Sequence, residues 1–72
     1  MATTQRGNYI FTVKEYADGT PWIAMEPSGK AIEFPNEGFF GFDLRKGTNI
    51  QRAREIAKYL NNNISELSFT QF

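Results

Sequence analysis

Phe39-Phe40-Gly41-Phe42-Asp43-Leu44, then Arg45-Lys46-Gly47, then Thr48-Asn49-Ile50-Gln51-Arg52-Ala53-Arg54-Glu55-Ile56-Ala57-Lys58-Tyr59-Leu60 is the stretch whose reading decides the fold. Its first six residues alternate, which puts Phe40, Phe42 and Leu44 on one face of a strand and Phe39, Gly41 and Asp43 on the other. The basic triplet breaks the pattern. Thr48 with Gln51 three residues later has the form of a capping box, which predicts a helix starting near Thr48. Ile50, Ala53, Ile56, Ala57 and Leu60 then recur at spacings of three and four, while Gln51, Arg54, Glu55 and Lys58 fall opposite. Asn61-Asn62-Asn63 is expected to end the helix, since asparagine tolerates the left-handed conformation.

Upstream, residues 1–7 are polar and read as a flexible tail, leaving 8–72 as a single domain. A first strand is expected over Asn8–Tyr16, with Tyr9, Phe11 and Val13 on one face and Ile10, Thr12, Lys14 and Tyr16 on the other. The register of the next strand depends on the turn. A two-residue Asp18-Gly19 loop sets Val13 opposite Ala24; a three-residue Ala17-Asp18-Gly19 loop with Gly19 left-handed sets Val13 opposite Ile23 and Phe11 opposite Met25. The second gathers the apolar residues on one side and is the expectation. Ser28-Gly29-Lys30 and Pro35-Asn36-Glu37-Gly38 read as turns around a short strand at Ala31–Phe34, and Glu66–Phe72 alternates as a final strand. The fold class is therefore α+β: an antiparallel meander of three to four strands, one amphipathic helix packed on one sheet face, and a C-terminal strand.

Composition narrows the chemistry. A chain of 72 residues is near the size at which one core only just outweighs chain entropy. It has no cysteine and no histidine, which removes disulfides, the usual zinc ligands and the Ser-His-Asp and Cys-His nucleophile systems. Seven Phe, three Tyr and one Trp supply the buried area instead. No cofactor, metal or catalytic residue is expected, and the scattered carboxylates show no pairing that suits acid-base work. The absence of an apolar leader or span makes a cytoplasmic protein without membrane contact the expectation. Net charge is zero but uneven: between Glu15 and Asp43 six acids face one lysine, whereas Arg45 to Lys58 holds five basic residues against Glu55 alone.

Two local likenesses stand out. Gly38-Phe39-Phe40-Gly41-Phe42 faintly resembles the aromatic strand of RNA-recognition motifs and cold-shock domains. Glu37 and Asp43 stand where that pattern needs basic and apolar residues, so Phe40 and Phe42 are read as core. Gly47, Thr48, Ala53 and Ala57 resemble the strand-to-helix segment of HicB-type antitoxin domains over less than a third of the chain. The strand of glycine and cysteine typical of that family is absent, and its function is not carried over.

One helix covers one sheet face, so Ile10, Tyr16, Trp22, Phe39 and Phe72 are left on the other by these registers. An aromatic patch of that kind marks a partner site. The leading expectation is a non-enzymatic protein-interaction domain that self-associates, as a homodimer, or binds another protein, with Tyr16, Trp22 and Phe72 as the contact residues. The alternative is a nucleic-acid or anion-binding module using Arg45, Lys46, Arg54 and Lys58.

Overall fold

A computed structural model describes residues 2–32, 38 and 40–72. The chain is α+β, and the described residues form five strands in two antiparallel sheets and one helix: β1 (Thr3–Gly7), β2 (Tyr9–Glu15), β3 (Pro21–Pro27), β4 (Phe40–Asp43), α1 (Ile50–Asn63) and β5 (Leu67–Gln71). The meander is the three-stranded sheet β2-β3-β4, with α1 on one face, and the C-terminal strand pairs with β1 in a separate ribbon.

The β2-β3 hairpin has the expected three-residue loop. The Tyr16 amide donates to the Thr20 carbonyl at 2.9 Å and the Gly19 amide to the Tyr16 carbonyl at 2.9 Å, with Gly19 at φ +86°. That loop sets Val13 opposite Ile23 and Phe11 opposite Met25. Asp18 stabilises the loop: its carboxylate accepts from the Thr20 amide at 2.9 Å, which holds its pKa below the ordinary value.

Residues 1–7 are not simply a tail. Thr3–Gly7 forms a strand paired antiparallel with β5, from Thr3 opposite Gln71 to Gly7 opposite Leu67. Nothing in the alternation of Thr3-Thr4-Gln5-Arg6 signals this, because both faces of β1 are polar. The strand exists because β5 arrives to pair with it and because its end is locked. Gly7 lies so close to the following loop that a Cβ there would stand 2.8 Å from the Ile32 nitrogen. The Tyr9 hydroxyl accepts from the Ile32 amide at 3.1 Å and can donate to the Ile32 carbonyl at 3.3 Å. In the short strand expected at Ala31–Phe34, Ala31 and Ile32 are loop, while Glu33 and Phe34 lie outside the described residues.

The helix start is one residue later than the capping box suggests. Asn49 is the N-cap, with extended backbone and its Oδ1 accepting from the Arg52 amide at 2.8 Å. Thr48 instead turns its hydroxyl back to donate to the Arg45 carbonyl at 2.7 Å, closing the turn in which Gly47 has φ +90°. The helix ends on the three asparagines, its last residue being Asn63, but none of them is left-handed: the C-cap is Ile64, with extended backbone and its amide donating to the Leu60 carbonyl. Asn61 does something else. Its Oδ1 accepts from the Phe11 amide at 2.7 Å and its Nδ2 donates to the Phe11 carbonyl at 2.8 Å, so that one side chain satisfies both backbone groups of a β2 residue.

The core is Phe11, Ile23 and Met25 of the sheet with Ala57 of the helix, flanked by Val13, Ile56, Leu60 and Leu67. Ala53 and Ala57 are buried, and their small side chains let α1 settle directly on the strands. It lies chiefly over β2 and less over β3. The reason is width: a helix about 10 Å across spans two strands spaced about 4.8 Å apart, not three.

Candidate functional site

Since α1 sits over β2 and β3, the apolar face of β4 lies beyond its edge. Phe40 and Phe42, expected in the core, are on the core side by register, opposite Met25 and Ile23, yet 53% and 46% exposed. Phe42 meets the core through a tilted contact with Phe11, ring centroids 6.1 Å apart. This corrects the reading of the two phenylalanines as core.

The result is an apolar groove of about 330 Å³ between helix and sheet. Ile56, Leu60 and Ile64 line one wall, Phe42 and Leu44 the other, and Phe11, Ile23 and Met25 form the floor. Glu66 is the one carboxylate in the lining. A lining of this chemistry offers no acid-base pair and suits apolar groups.

On the opposite face Trp22 is half-buried, while Tyr16 is 48% exposed. Tyr16 and Trp22 stack with centroids 5.5 Å apart at 20°. The Trp22 ring lies over Gly41, where a Cβ would stand 2.8 and 2.9 Å from its Cζ3 and Cε3. The Tyr16 hydroxyl donates to Asp43 Oδ1 at 2.5 Å, a bond that raises the tyrosine pKa above its ordinary value because ionisation would set two negative oxygens against each other. Beside this cluster Lys14 reaches Glu26 at 2.8 Å, across the fully buried Ala24. Trp22 is thus half-buried by its own sheet, while Ile10 remains 45% exposed. Phe72 does not join this patch: it follows β5, on the ribbon, and is fully exposed. Phe39 lies outside the described residues.

The four basic residues fall on two elements. Arg45 and Lys46 are in the β4-α1 turn, beside the Asp18-Gly19-Thr20 loop, and Arg54 and Lys58 are exposed on α1. Arg52, between them in sequence, pairs with Glu55 at 3.0 Å. Among the described residues no group of three or more carboxylates is placed to hold a metal ion, and no helix is long and apolar enough to cross a membrane.

The groove escaped the sequence reading because periodicity reports which face a side chain takes, not whether anything covers it. A signal was present: three strands with apolar faces and a single helix to cover them.

Comparison with known proteins gives no assignment, as no family model, no curated protein and no solved structure matches the chain.

Proposed function

We propose that this chain is a non-enzymatic, cytoplasmic protein-interaction domain whose binding surface is the groove between α1 and β4. The observation that carries the reading is the half-exposed Phe42 above an otherwise buried floor of Phe11, Ile23 and Met25. An apolar cleft of this kind on a small domain is a docking site for apolar side chains of a protein, a second copy or another chain. Relative to the expectation from sequence, the interaction role is kept and its surface moves from the Tyr16-Trp22 face to the opposite one. The stacking of Tyr16 on Trp22 supports that move, since these rings already cover each other and Gly41.

The test uses Nile red, a neutral apolar fluorophore, with dilute protein. The wild type is expected to bind it with enhanced fluorescence, and Phe42→Asp to lose that binding while keeping its far-ultraviolet circular dichroism. A wild type that leaves the dye unbound would show the groove to be closed and the reading wrong.

A further inference from the structure

The occupant of this surface can be argued from the edges of the sheet. In an antiparallel ladder alternate residues direct their N–H and C=O groups to opposite sides. The Tyr16 amide bonds to Thr20, so the even-numbered residues of β2 face β3, and the odd-numbered ones face outward. Asn61 binding both backbone groups of Phe11 agrees with this. Carrying the alternation through β3 turns Ile23 and Met25 toward Phe42 and Phe40, and leaves the backbone groups of Gly41 and Asp43 directed away from the sheet. β4 is the edge of this sheet, and among the described residues no strand pairs with that side.

Resting on the interaction reading above, we infer that a second copy of the chain pairs with this edge, β4 to β4 antiparallel about a two-fold axis centred on Phe42. Charge fixes the register. Centring the axis on Asp43 would set two carboxylates directly opposite each other, which is destabilising. Centring it on Phe42 sets Asp43 opposite the partner's Gly41, and each such pair exchanges two backbone hydrogen bonds. The Asp43 carboxylate is also held by Tyr16 of its own chain, so it does not guard the edge as a free charge would. β4 carries no lysine, proline or bulge, the usual devices against edge pairing.

Packing agrees with this register. Phe42 would face the partner's Phe42 in a non-hydrogen-bonded pair, where side chains approach most closely, and Phe40 would face Leu44. The two helices would lie on the same side of a six-stranded sheet. With each centred between β2 and β3, their axes stand about 19 Å apart, four strand spacings, leaving a gap of roughly 9 Å between helices about 10 Å wide. The phenylalanines of both copies fill that gap, and the two grooves become one apolar layer.

A seam of one short strand is smaller than the ~800 Å² per partner of a standard interface, so the association is weak, with a dissociation constant on the order of 100 μM. Sedimentation equilibrium and amide hydrogen exchange on the wild type test it together. From about 10 μM to about 1 mM the mass is expected to rise from one chain toward two. Over the same range exchange at the Gly41 and Asp43 amides should slow roughly fourfold, with no slowing at Val13 and Glu15 on the opposite edge. A mass of one chain throughout overturns the pairing, and so does a dimer in which the Gly41 and Asp43 amides exchange as they do in dilute protein. Nile red binding separates the two ideas: retained, it leaves the interaction surface standing without the second copy; absent, it removes both.

Discussion

The two edges of the three-stranded sheet are treated differently by the same helix. Along β2 the helix lies on the strand and Asn61 reaches over to bind both backbone groups of Phe11. Along β4 no comparable contact is made among the described residues: the backbone of Gly41 and Asp43 faces outward, and Phe42 is half-exposed above the groove. The difference shows that amphipathic periodicity makes a face apolar without ensuring that it is covered. Coverage is a matter of widths, and a domain of this size has one helix for three strands.

Substitutions can break that contrast at several strengths. On the closed side, Ile23→Ala removes the one large side chain that is fully buried among the described residues and should cost about 3 kcal/mol, read from denaturant unfolding, whereas Phe42→Ala should cost about half as much because half of that ring is already in solvent. Equal costs would mean that the groove is closed in solution. Next comes Asn61→Ala, which leaves the Phe11 amide and carbonyl without their partner in a partly buried position. A loss of about 2 kcal/mol is expected, together with faster exchange of the Phe11 amide. Stability unchanged by this variant would show that water replaces Asn61 and that the β2 edge is not specially closed.

Gly41→Ala probes the back of β4. Its Cβ would meet the Trp22 ring at 2.8 Å, so the ring must shift; a cost of about 1 kcal/mol and a changed tryptophan emission are expected. The smallest effect concerns pH. Tyr16 has its pKa raised in the folded chain by the bond to Asp43, so that bond's contribution is complete below the ordinary tyrosine value of about 10 and is lost as pH rises through the higher folded value. Tyr16→Phe should abolish this alkaline component. Asp18 behaves oppositely. Its pKa is lowered, and its contribution is present above the ordinary aspartate value and lost as pH falls through the depressed one. The Asp18→Asn variant should therefore flatten the acid limb of the stability profile.

Much of the fold was legible because the relevant signals are local. The apolar stripe from Ile50 to Leu60 specified the helix, and the Ala17-Asp18-Gly19 loop specified the register of β2 on β3. What was not legible depends on partners distant in sequence. β1 is a strand because β5 pairs with it, across more than sixty residues, and its own residues have no alternation to announce it. Asn61 looked like a helix terminator because its partner, Phe11, is fifty residues away. The candidate site was half legible: an exposed apolar surface was anticipated on the face of Tyr16 and Trp22, and the apolar groove opens on the other face. Trp22 is half-buried, stacked on Tyr16 and lying over Gly41, while Phe42 is not covered by the helix.

The most direct test of the account compares Ile10→Asp with Phe42→Asp, since these residues are 45% and 46% exposed on opposite faces of one sheet. Each variant would be followed beside the wild type by sedimentation equilibrium over the same concentration series. Phe42→Asp is expected to stay at the mass of one chain while Ile10→Asp associates as the wild type does. Association lost in Ile10→Asp and retained in Phe42→Asp would contradict it, and would return the interaction surface to the face of Tyr16 and Trp22.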